Sequence, residues 1–179
     1  MNTGQMLLSI GAIVLLGTTV ITLNRSSLQN GTMLQQTQIG LYAISFATST
    51  IDEASGKAFD ENTVNNAVAT TASLTTNLGP ESGETTNPVS SAKFDDFDDY
   101  NGMVRIDTVP GVDIFTTRTK VYYVSDANPD VKVSSPTWFK RMDVMVYGSG
   151  VSDTGRRSMG IATGDTIKMS YVFSYYFYR

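Results

Sequence analysis

The sequence predicts an α+β fold in which a long N-terminal hydrophobic helix packs on a roughly four-stranded antiparallel sheet. Three observations carry that prediction. Residues 2–24 hold no charge, and Met6-Leu7-Leu8-Ser9-Ile10-Gly11-Ala12-Ile13-Val14-Leu15-Leu16 is almost continuous hydrocarbon. After Arg25 the next charged residue is Asp52, and the intervening Ser-, Gln-, Asn- and Thr-rich stretch still carries spaced apolar residues. Beyond Gly102 the apolar period shortens to two, the repeat of half-buried strands.

The first element is the segment 5–25, preceded by residues 1–4, which the resemblance described below implies to be a short leader. A helix needs about 20 predominantly apolar residues to cross a bilayer core, and this segment is long enough. It can be read as a cleaved secretory signal, as a single-pass anchor, or as a segment that first anchors and later assembles. Residues 1–4 lack the basic residues of a secretory signal, and no small-x-small cleavage site follows the apolar run.

The second element, residues 26–60, reads as an uncharged amphipathic helix continuing into a head domain. Leu34, Leu41, Ile44 and Ile51, with Ile39, Tyr42 and Phe46, recur at spacings of three, four and seven. A helix over 5–59 would be roughly 80 Å long, more than the head could cover. Its upper part must then be buried by other copies of itself. Leu8, Ile10, Ile13, Leu16, Val20, Leu23, Leu34 and Leu41 are the candidate assembly positions. Gly11, Gly17, Gly31 and Gly40 each weaken the helix by about 1 kcal/mol relative to Ala. They suit close helix packing, and Gly17-Thr18-Thr19 is a candidate for local melting. Lys57 falls near the expected helix C-terminus, where a cation is favoured.

Residues 61–93 form a polar, low-charge connection punctuated by Gly79-Pro80 and Asn87-Pro88. It reads as a surface loop, with a short helix over 64–74 as the alternative. Residues 94–179 are the β head. Val104, Ile106 and Thr108 alternate with Met103, Arg105 and Asp107, giving a first strand. Residues 115–124, rich in Thr, Val and Tyr, give a second. Met142, Val144 and Val146 mark a third, closed by Gly148-Ser149-Gly150. Ile167, Met169, Tyr171, Phe173, Tyr175 and Phe177 form the apolar face of a fourth. Phe59, Ile106, Val144, Val146, Tyr171 and Phe173 are the expected head core. Such a sheet has one wet face and needs a helix over the other.

The chain has 179 residues, enough for one head and an extended helix. A net charge of -4 excludes a nucleic-acid partner. With no Cys and no His, the usual thiol nucleophile, general base and zinc ligands are missing, so an enzyme is not expected. Asp95, Asp96, Asp98 and Asp99, beside Gly102, are candidate ligands for calcium, the one cofactor considered. They lack EF-hand spacing, and the competing reading is a solvated acidic turn or a partner for Lys and Arg of another subunit. Phe94, Phe97 and Tyr100 are expected to pin that turn to the core. Trp138 is expected at the rim of the core. Tyr176 and Tyr178 are candidates for burial against a neighbouring head.

Gly4-Gln5-Met6-Leu7-Leu8, followed by the neutral helix, resembles the processing region of type IV pilins and pseudopilins. Phe94-Asp95-Asp96-Phe97-Asp98-Asp99-Tyr100-Asn101-Gly102 is similar to the Asp-Asp-Tyr-x-Gly segment of some minor pilins. Two positions depart from the family: Thr3 precedes Gly4 where basic residues are usual, and Ser9 stands where a glutamate sets register. The resemblance implies cleavage between Gly4 and Gln5 by a prepilin peptidase. It further implies residence in a bacterial inner membrane, extraction by a pilus assembly machinery, and self-assembly into an extracellular surface filament (a fimbrium). The alternatives are a membrane-anchored minor pilin or pseudopilin, and a tethered surface binding module.

Overall fold

The computed structural model describes residues 3–86, 89, 91–148 and 166–175. It comprises two units, one ending at Gln38 and the other beginning at Ile39. Helix α1 (Thr3–Ser55) is a single 53-residue α-helix that forms the first unit and provides the first element of the second.

In the first unit the helix passes without a break through Gly11, Gly17 and Gly31. The hydroxyls of Thr18 and Thr19 both donate to the carbonyl of Leu15, at 3.0 and 2.8 Å, so the candidate melting stretch is helical in the single chain. Successive residues stand about 100° apart, so four in a row encircle the helix. Ile13, Val14, Leu15 and Leu16 are 70%, 59%, 70% and 68% exposed, so the apolar surface has no single side.

In the second unit, helical residues 39–55 lie on an antiparallel sheet. The strands are β1 (Val104–Val109), β2 (Asp113–Tyr123), β3 (Phe139–Gly148) and β4 (Ile167–Ser174), and they neighbour one another in chain order. Every pairing is antiparallel, with Val144 opposite Thr119 on one side and Met169 on the other. The β1–β2 connection turns at Pro110-Gly111, with Val112 N–H donating to Val109 C=O at 3.0 Å. Gly111 has φ +78°, the left-handed conformation that the second central residue of a type II turn requires.

The buried stripe of the helix is Ala43, Ala47, Thr50, Ile51 and Ala54, at spacings of three and four. Its alanines let the helix backbone approach the sheet, while Phe46 and Tyr42 flank Phe115 of β2 at 5.3 and 6.2 Å between ring centres. The main core combines this stripe with Phe94, Phe97, Tyr100, Met103, Val121, Met142, Val144 and Val146; Tyr171 and Phe173 pack against it half-buried. A second cluster holds Phe59, Leu74 and Tyr123, and Trp138 stacks at its rim on Tyr175, 5.3 Å away. The opposite sheet face mixes apolar side chains such as Ile106 and Ile114 with polar ones. Asp143 there accepts from Arg141, Ser170 and Tyr122.

Ile106 does not belong to the head core: it is 67% exposed. The period of β1 is two, as the sequence indicates, but the phase is opposite. Arg105 faces the helix and donates to Glu53 at 3.1 Å and Thr50 at 2.7 Å. A salt-bridged arginine therefore occupies the inner face where an apolar side chain was expected.

The helix also stops earlier than residue 60. After Ser55 the chain turns alongside the acidic segment, where Ala58 N–H donates to Asp95 C=O at 3.1 Å and Phe97 N–H to Ala58 C=O at 2.9 Å. Lys57 reaches the carbonyl of Phe94 at 2.7 Å instead of a helix carbonyl. The 64–74 stretch is not an α-helix; among the described residues of the connection the helical turns are short 3₁₀ turns at Glu61–Thr63 and Thr71–Ser73. Ser149, Gly150, Tyr176, Phe177 and Tyr178 lie outside the described residues.

Candidate functional site

Two features carry chemistry beyond ordinary packing. The first is the surface of the N-terminal helix. Leu8, Ile10, Ile13, Leu16, Val20, Leu23, Leu34 and Leu41 are each between 55% and 76% exposed in the single chain. The helix is long and apolar enough to cross a membrane. A helix apolar on all sides is stable only where its surroundings are also apolar, in a large core or in lipid. Exposed Leu28, Met33 and Leu34 continue this surface past a bilayer length counted from residue 5. Gly4 and Gln5 lie in the first turns of the helix, and Ser9 donates its hydroxyl to the carbonyl of Gln5 at 2.9 Å.

The second feature is the acidic turn. Of the four candidate carboxylates, Asp95 is exposed, whereas Asp96, Asp98 and Asp99 are fully buried. Phe94, Phe97 and Tyr100 hold the turn in the core, each at most 1% exposed. Asp96 Oδ1 accepts from the backbone N–H of Asp98 and Asp99 at 2.7 and 3.1 Å. Asp99 Oδ2 accepts from the backbone N–H of Asp95 and Asp96 at 2.9 and 3.1 Å. Two carboxylates therefore organise the turn by reciprocal bonds to its own backbone.

Asp98 points the other way, to Lys140. The Lys140 ammonium is wholly buried and uses its three donors on Asp98, on Asp60 at 2.9 Å and on the carbonyl of Phe59 at 2.7 Å. It lies 4.6 Å from the centre of the Phe59 ring and 5.3 Å from that of Tyr123. The Tyr123 hydroxyl bonds Asp60 at 3.0 Å, and Asp60 also accepts from the backbone N–H groups of Asn62 and Thr75. This network ties the chain just after α1, the acidic turn, the polar connection and β3 to one buried cation.

The charge balance is set by burial. Desolvation, then the charges of Asp98 and Asp99, push the Asp96 carboxyl up to about 9. Asp96 is therefore neutral at pH 7. Burial also raises Asp98, which Lys140 only partly offsets. The Tyr100 and Tyr123 hydroxyls are raised by burial and by Glu53 and Asp60 respectively, so both remain donors.

The sequence candidates for calcium are thus not one cluster. The structure brings together a different set: Asp99 with Glu81 and Glu84 of the connection, each offering one oxygen within 4.8 Å of the others. Glu81, Glu84, Asp60 and Lys140 escaped the sequence reading. Lys140 left a trace there, because it occupies the inner phase of β3 in alternation with Met142, Val144 and Val146. The glutamates left none, since their approach to Asp99 depends on the fold of a loop. No protein-family model, curated protein or solved structure matches the chain.

Proposed function

We propose that this chain is a structural subunit of a type IV pilus-like filament. Its N-terminal helix is held in a bacterial inner membrane before assembly and packed against other copies in the fibre core afterwards. The observation that carries the reading is the neutral apolar surface beyond bilayer length. Residues 26–51 contain no charge, yet Leu28, Met33, Leu34 and Leu41 are 67%, 69%, 71% and 64% exposed in the single chain. A tether between membrane and head would gain solubility from charge at those positions. A helix destined for a bundle of its own copies loses it, because each buried charge there would need a partner.

The fold is compatible with that role, since a helix whose last turns cover one face of an antiparallel sheet leaves the earlier turns for partners. The partners are then other copies of the chain, the membrane and an assembly machinery, and the chain is not an enzyme.

The test is electron microscopy of sheared surface filaments from cells producing the chain, with N-terminal sequencing of the main band. Filaments whose band starts at Gln5 or Met1 support the reading. A chain recovered only from membranes overturns it in favour of a membrane-anchored subunit. Ile13→Lys should abolish fibres, because an ammonium in the helix bundle lacks a partner.

A further inference from the structure

We propose that Asp99, Glu81 and Glu84 form a calcium site that clamps the polar connection onto the acidic turn. The first support is an orphan atom. Asp99 is fully buried, its Oδ2 is occupied by two backbone N–H groups, and its Oδ1 has no hydrogen-bond partner among the described residues. A buried carboxylate oxygen in that state carries a desolvation penalty that only a proton or a cation relieves.

The second support is the neighbouring chemistry. Glu81 and Glu84 each bring one carboxylate oxygen to within 4.8 Å of one another and of an Asp99 carboxylate oxygen. Two ligands of one calcium ion, each bound at about 2.3–2.6 Å, can be up to about 5 Å apart, so the three oxygens fit one coordination sphere. Calcium takes about 6–8 oxygens, and the solvent-facing glutamates leave room for bidentate binding and water.

The third is that the loop is already in place. Glu81 and Glu84 exchange backbone and side-chain bonds, with Glu84 N–H to Glu81 C=O and Glu81 N–H to Glu84 Oε2, both 3.2 Å. Asn101 fastens the preceding Leu78 carbonyl at 2.8 Å. The Lys93 ammonium is directed at the carbonyl of Gly83, 2.9 Å away.

Three carboxylates this close repel one another when ionised, and one divalent cation satisfies all of them at once.

The experiment is a calorimetric titration of the full chain in a non-ionic detergent with calcium chloride at pH 7. The midpoint of thermal unfolding is recorded in parallel. We expect one ion per chain, a dissociation constant of about 10⁻⁴–10⁻³ M as in weak calcium sites, and a rise in the unfolding midpoint. Glu81→Gln and Glu84→Gln, which leave the core untouched, should each weaken binding at least about tenfold while the metal-free chain stays folded. Absence of heat and of a midpoint shift up to roughly 10 mM calcium overturns the proposal. So does binding unchanged in both variants, or an equal response to magnesium. None of these outcomes depends on whether the chain forms filaments.

Discussion

The Lys140 ammonium is paired with Asp98 where neither side chain has any exposure, and Asp60 completes the pair 2.9 Å away. The charge stands at a position whose neighbours on the same face of β3 are Met142, Val144 and Val146. It joins segments far apart in the sequence that the hydrophobic core alone would leave free to slide.

Lys140→Met keeps the volume but leaves Asp60 and Asp98 buried without their cation. We expect a loss of about 3–5 kcal/mol, the usual cost of breaking a buried ion pair from one side. Urea unfolding of the full chain in detergent measures it. Adding Asp98→Asn to Lys140→Met should recover part of the loss, since the uncompensated charge is then reduced.

Asp96 makes the head sensitive to alkali. Burial and its acidic neighbours push its folded carboxyl up to about 9 from the ordinary 3.8, so between these values the folded state holds more protons than the unfolded chain. Its contribution to stability is complete below the unfolded value and falls as pH rises toward 9. Asp98, Glu81 and Glu84 are raised too and act in the same direction. Asp143 acts oppositely: burial raises it, but bonds from Ser170, Arg141 and Tyr122 outweigh this, so its contribution is lost in acid. Unfolding midpoints between pH 5 and pH 8.5, read in metal-free buffer, should decline with pH. Asp96→Asn keeps the acceptor for the two backbone N–H groups and should flatten the decline.

The helix presents two kinds of position within the second unit. Ala47 is fully buried against the sheet, and Ala47→Leu should cost about 1–3 kcal/mol through overpacking. Leu41 is 64% exposed, and Leu41→Ala should change head stability by no more than about 0.5 kcal/mol. If Leu41 is an assembly position, the same substitution should lower filament yield. Denaturation midpoints and filament counts on both variants separate the two roles.

The phase of β1 is tested on Ile106. Ile106→Thr should be within about 0.5 kcal/mol of the parent because the side chain is 67% exposed. Val144→Ala, at a fully buried position of β3, should cost about 2–3 kcal/mol from two lost methyl groups and the cavity they leave. Equal losses in the two variants would return Ile106 to the core.

What was legible in the sequence is what local repetition encodes. An uninterrupted apolar run specifies a helix long enough for a membrane, and a period of two specifies strands, because both follow from the backbone geometry of a single segment. The side of β1 that faces the helix was not legible. Period two is satisfied by either phase, and Arg105 took the inner side only because Glu53 and Thr50, on a distant helix, could hold it. The acidic turn shows the same division. Four aspartates in five positions announce concentrated charge, but their sequence cannot tell which carboxylate caps backbone, which meets Lys140 and which meets Glu81 and Glu84. The last two assignments need partners 15 to 42 residues away, which only the folded chain brings close. Sequence by itself determined the classes of element and the long uncharged helix on which the proposed assembly rests. Tertiary structure decided where the charges are buried, because the energy of a buried charge depends on partners that no local pattern records.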